Sequence, residues 1–160
     1  MLDAATFEEI EANRAITGQA LGVVLVASLA AGAGGGILGG PAGLLRAALG
    51  ALIGWVMWAA VTYVIGARLL PEPQTRTDLG ELLRVIGFAY APGLFGILGF
   101  IPVLGVVVST VVAIWLLVTM VLAVRQALDY TSTIRAFLVV LIGWLVFVAI
   151  TLVFQGPWVF

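Results

Sequence analysis

The sequence predicts an all-α protein: a polytopic integral membrane helical bundle of about five transmembrane helices, led in by a short amphipathic helix. The first observation is composition. Of 160 residues, 63% are hydrophobic and only 9% are charged, whereas soluble domains are about 45–50% apolar and about 25% charged. A water-soluble fold of this size leaves roughly a third of its unfolded surface exposed, so it could not hide this much apolar area. The second is segmentation into five apolar stretches at 15–37, 44–70, 79–100, 102–128 and 133–154, each within reach of the ~17–25 residues that cross a bilayer. The third is the distribution of arginine.

The elements follow in order. Residues 1–14 read as a cytoplasmic lead-in at the membrane interface. Thr6 is placed to cap a helix over 6–14 and Glu9 to complete a capping box, with Phe7 and Ile10 on one face. Asp3, Glu8, Glu9 and Glu11 stand where a secretory signal would carry positive charge, so the first apolar segment is expected to stay in the mature protein. The first span ends in the Gly-rich stretch 32–40, with a turn expected at Gly39-Gly40-Pro41. After the second span, Pro71-Glu72-Pro73-Gln74-Thr75-Arg76-Thr77 breaks all periodicity and reads as a loop. Asp78 caps the third span, with Glu81 placed to close a second capping box. Pro92 lies in the middle of that span, where it removes a backbone donor and clashes with the preceding turn; a kink or two half-helices breaking around 90–93 is expected. Pro102 suits the first turn of the fourth span, Thr131, Ser132 and Thr133 offer caps for the fifth, and Trp158 fits an interface.

Five spans place the termini on opposite sides. Arg14, Arg68, Arg76, Arg84, Arg125 and Arg135 fall on the N-terminal side, against Arg46 alone on the other. The positive-inside rule then puts the N-terminus in the cytoplasm and the C-terminus outside.

Chemistry is restricted by what is missing. All seven basic residues are Arg, and there is no Lys, His or Cys. Disulfides, thiolate chemistry and Cys/His metal sites are thereby excluded, a Ser-His-Asp arrangement cannot form, and no phosphate loop with its Lys exists. Net charge is −1, which leaves no electrostatic footprint for nucleic acid. No catalytic, cofactor-binding or metal-binding residue is expected, and the lipid bilayer is the expected partner. The span middles carry only hydroxyls such as Ser28, Thr62, Tyr90, Ser109, Thr110 and Thr119, where a pump would need an ionisable group at the midplane.

Two sets of residues stand out. Gly18 with Gly22, Gly32 with Gly36, and Gly50 with Gly54 have the spacing that lets helix backbones approach; internal packing is the expected use, a homo-oligomer contact the alternative. Asp78, Glu81, Arg84, Arg125 and Asp129 gather at span ends on the cytoplasmic side. Their spacing predicts a Glu81–Arg84 pair and an Arg125–Asp129 pair along the helix faces.

The segment Glu81-Leu82-Leu83-Arg84-Val85-Ile86-Gly87-Phe88-Ala89-Tyr90-Ala91-Pro92 resembles the Gly-Tyr-x-x-x-Pro-like signature of the Yip family, the Ypt/Rab-interacting membrane proteins, in its bacterial branch. Trp115 and the stretch 123–128 are similar to that branch as well, and the likeness extends from about residue 6 to 154. The resemblance implies Gly87, Tyr90 and Pro92 as candidate functional residues beside Glu81, Arg84, Arg125 and Asp129, in a bacterial cytoplasmic (inner) membrane. Eukaryotic relatives contact Rab-type GTPases through a cytosolic N-terminal region with an Asp-Leu-Tyr-Gly-Pro motif. Only about fourteen residues precede the first span here and the motif is missing, so Rab-type GTPase binding is not expected.

The functional expectation is a non-enzymatic protein that organises the membrane or scaffolds partner proteins. The alternative is a small transporter, channel or lipid-translocating protein working at the Pro92 break. A weaker third reading is an accessory subunit docked through 6–14 or the cytoplasmic cluster.

Overall fold

The structure, a computed structural model, describes residues 9–10, 13–34, 40–101 and 104–154. The expected Thr6 cap and most of the 6–14 helix, together with Gly36, Gly39, Pro102 and Trp158, lie outside those residues. Among the described residues every regular element is helical, and five stretches are long and apolar enough to cross a membrane.

A 3-10 turn at Arg14–Ile16, capped by the Asn13 side chain accepting from the Ala15 N–H at 3.0 Å, leads into α1 (Thr17–Gly34). The second span is α2 (Gly40–Tyr63), opened by Gly40 at φ +65 and continued as a π-helix over Val64–Leu69. Pro71 ends the π turn. It has no N–H to offer the Gly66 carbonyl, and the Leu70 N–H bonds Ile65 O at 2.9 Å rather than Gly66 O. The Tyr130 hydroxyl takes up the freed Gly66 carbonyl at 2.9 Å and also lies 2.7 Å from Leu70 O.

The third span is α3 (Leu79–Ala89), followed by a 3-10 helix over Ala91–Phe100. The capping box expected at Asp78 and Glu81 is formed in both directions, at 2.8 and 2.9 Å. The break falls where Pro92 predicts it. Its second half, however, is 3-10 rather than α-helix, ten residues long where such runs seldom exceed three or four. Gly93, Gly96 and Gly99 recur every three residues, the period of a 3-10 helix, and so line up on one face. A Cβ at Gly96 would meet Ala31 Cα at 3.0 Å, and one at Gly93 would meet Ala27 Cβ at 3.3 Å. Close backbone contact with α1 thus holds a helix that would be strained alone. Ten residues also reach about 20 Å in this form against about 15 Å as α-helix, which helps the broken span cross.

The bundle is completed by α4 (Leu104–Ala127) and α5 (Thr133–Phe154). The third span is central, packed against α1, α2 and α4, while α5 packs on α2 and α4. Leu82, Val85 and Ile86 of α3 are fully buried with Val24, Ala59, Val124 and Val139 from the other helices. Outward faces carry large apolar residues such as Val106, Ile114, Ile134 and Val153, as a lipid solvent requires.

Candidate functional site

Two connections, 70–78 and 128–132, meet on the face of the bundle that also carries Arg14. α4 ends in a Schellman arrangement. Asp129 takes the left-handed position at φ 53, the Asp129 N–H bonds Gln126 O at 2.9 Å, and the Tyr130 N–H bonds Arg125 O at 2.9 Å. Asp tolerates this conformation better than most residues. The turn directs Thr131 toward the other loop, where Pro71 and Pro73 restrict the backbone on both sides of Glu72.

Glu72 is the centre of the contact, with only 8% of its surface exposed. Its Oε2 accepts from the Thr131 N–H at 3.1 Å, the Thr131 hydroxyl at 3.0 Å and Gln74 Nε2 at 2.5 Å. Arg135 lies 3.4 Å from its Oε1 and also sits over the Tyr130 ring. The backbone donor of Thr131 leads in holding the Glu72 carboxyl below its ordinary value, against the opposing effect of burial. Thr75 donates to Leu128 O at 2.8 Å and Gln74 to Asp129 O at 3.0 Å, so the carbonyls at the end of α4 are satisfied from the opposite loop. Tyr130 is buried, and that burial raises its hydroxyl pKa above the ordinary value.

The predicted charged cluster separates into two sets with other partners than expected. Glu81 turns its carboxylate to the Asp78 N–H. Arg84 is buried and donates from Nε to Ile10 O at 3.3 Å, while Arg14 pairs with Asp78 at 4.0 Å. These contacts tie the N-terminal segment to the start of α3. Arg125 folds onto its own turn, donating to Tyr130 O and Thr131 O. Asp129 accepts from the Arg76 N–H at 3.3 Å instead of pairing with Arg125. The left-handed backbone at Asp129 takes it off the helix face that the four-residue spacing assumed.

The expected packing glycines need a similar correction. A Cβ at Gly18, Gly22 or Gly50 would meet nothing within 4 Å, and one at Gly54 would only touch Phe147 at 3.9 Å. The close approaches are made elsewhere: a Cβ at Gly87 would meet Ala20 Cβ at 2.8 Å and Ala20 O at 3.2 Å, and one at Gly66 would strike Leu128. Spacing identifies small residues on a common face but does not say which face meets another helix.

At mid-depth, the Pro92 break frees the Ala89 carbonyl, since the Gly93 N–H turns to Tyr90 O at 2.8 Å. Thr119 of α4 supplies the replacement at 3.0 Å. Beside the break, α2 and α4 make no extended contact, and a groove of about 570 Å³ lies there, lined mainly by α4 and α5. Trp58, Tyr90, Met120, Phe137, Trp144 and Phe147 are among its lining residues. Tyr90 and Pro92 of the predicted set therefore lie at or next to a cavity, while Gly87 packs on α1.

The family model described as the Yip1 domain matches residues 3–154. The chain belongs to the Yip family. No curated protein and no solved structure matches it. The Yip-family match runs through all five helices and both connections just described, so the likeness first seen around residues 81–92 covers nearly the whole chain.

Sequence reasoning on this Yip-family chain missed Glu72, Gln74, Tyr130 and Thr119. One signal was available for the first: a glutamate between two prolines, in a chain with only eight acidic residues, has its backbone fixed for some purpose.

Proposed function

We propose that this Yip-family protein is a non-enzymatic membrane organiser or scaffold of a bacterial cytoplasmic membrane, with the N-terminus and the paired connections in the cytoplasm. The observation that carries this reading is the Glu72–Thr131 junction, which joins the two connections into one platform. A scaffold needs a surface of fixed shape, and a carboxylate holding backbone, hydroxyl and guanidinium donors at once provides it. The described spans carry no midplane charge for ion coupling. Orientation rests on the arginine bias, and a homo-oligomer or a membrane-protein partner belongs to the same reading.

The test is crosslinking from Pro73→Cys, at an exposed loop position, in native membranes. A defined partner set is expected, lost in Glu72→Ala while the protein remains membrane-inserted. Specific solute flux in proteoliposomes, abolished by Tyr90→Phe, would overturn the proposal. The second reading, translocation at the Pro92 break, is favoured by the groove beside Tyr90 and predicts that flux.

A further inference from the structure

The lining of the mid-depth groove contains no carboxylate and no basic side chain. Its polar side chains are Trp58, Tyr90 and Trp144, and each offers a hydrogen-bond donor; only the tyrosine hydroxyl can also accept. Among the described residues Tyr90 makes no side-chain hydrogen bond. Trp58 Nε1 is likewise without a partner, but it is buried behind the groove wall and not open to a ligand. Every other tryptophan or hydroxyl that the bundle buries for packing finds a carbonyl, as Trp55 does at Leu83 O and Thr119 at Ala89 O, except Thr62 one turn from Trp58. Unpaired polar groups therefore concentrate at this groove and along the adjacent face of α2.

We propose that the groove lined by α4 and α5, with Trp58 of α2 and Tyr90 also in its wall, binds a neutral lipid whose head is a carbonyl-bearing ring, of the quinone type. Four properties of the site select that chemistry. The Tyr90 and Trp144 donors call for oxygen acceptors, and a quinone carries carbonyls and no charge. Five of the twelve lining residues are aromatic (Trp58, Tyr90, Phe137, Trp144 and Phe147), which suits a flat, electron-poor ring. The volume of about 570 Å³ falls within the ~300–1,000 Å³ usual for small-ligand sites. Finally, Trp58, Tyr90 and Trp144 lie near the middle of their spans, a depth at which a phosphate head would be an unpaired buried charge. Entry is open from the lipid side, because Leu117, Leu141 and Trp144 are exposed.

The proposal is independent of the scaffold reading, since it concerns a ligand and not a partner. Native mass spectrometry of the full chain in detergent tests it with three probes: a benzoquinone bearing a short isoprenoid tail, dioleoylglycerol and phosphatidylglycerol. The quinone adduct is expected to exceed both lipids at equal concentration, by tenfold or so over phosphatidylglycerol. Tyr90→Phe should reduce the adduct several-fold. Leu141→Trp, which fills the groove from an exposed position, should abolish it, and Leu49→Trp on the outer face of α2 should leave it unchanged. Melting curves of each variant separate loss of binding from loss of fold; if Leu141→Trp unfolds, Ala113→Phe serves in its place. Equal adducts from all three probes, or a quinone adduct that survives a folded, filled groove, would overturn the assignment. Equal binding of dioleoylglycerol would overturn recognition of the ring.

Discussion

The Thr119 hydroxyl lies 3.0 Å from the Ala89 carbonyl, across the point where Pro92 interrupts the third span. In lipid no water can take that carbonyl, so a side chain from the neighbouring helix must. Trp115 O and Leu116 O lie at the same distance from the hydroxyl, so its single proton is shared. Thr119→Val keeps the shape and removes the donor. It should lower stability by about 1–3 kcal/mol, read as a lower melting temperature in detergent, with Thr119→Ser close to the parent.

Glu72 predicts acid sensitivity. Its carboxyl is held below the ordinary 4.5 in the folded state, so the folded chain favours the ionised form. The stability this contributes is present above pH 4.5 and is lost as pH falls through the lower folded value. Melting temperature should therefore drop on acidification from neutral to about pH 3.5. Glu72→Gln should start lower and show a shallower dependence; parallel curves would refute the assignment.

The left-handed backbone at Asp129 makes substitutions there diagnostic. Asp129→Val should destabilise by about 1–2 kcal/mol, the cost of a side chain in that region. Asp129→Asn should be nearly neutral, because it tolerates the conformation and keeps an acceptor for the Arg76 N–H. Thermal melts of the two variants side by side measure the difference.

Glycines should divide by contact and not by spacing. Gly87→Ala drives a methyl into Ala20 and should destabilise by about 1–3 kcal/mol, whereas Gly18→Ala meets open space and should stabilise α1 by up to about 1 kcal/mol. Ala20→Gly added to Gly87→Ala should recover part of the loss. If Gly18→Ala instead changes the mass of the purified particle, that face is a contact between protomers.

Topology is testable directly, because the chain has no cysteine. With single cysteines at Pro73 and Ala42, both exposed, a membrane-impermeant maleimide applied to intact cells should label Ala42→Cys. Pro73→Cys should react only after the cells are opened. The reverse pattern would invert the orientation.

The five spans, the Asp78 capping box and the break at Pro92 were all determined by the sequence alone. Each depends on chemistry local to a few residues or on bulk transfer to lipid: apolar length, a side chain that can reach its own helix end, a ring with no N–H. Tertiary structure alone decided the partners. It took Arg125 and Asp129 apart by placing Asp129 in the left-handed region, and it made Glu72 the junction of two loops far apart in the chain. It also passed over Gly18 and Gly22 for Gly87 and Gly66. The period-three glycines at 93, 96 and 99 lie between the two cases. Their pattern is in the sequence, but a 3-10 helix of ten residues persists only because α1 and α4 pack against it. Helix periodicity says which residues share a face; only packing says what that face meets.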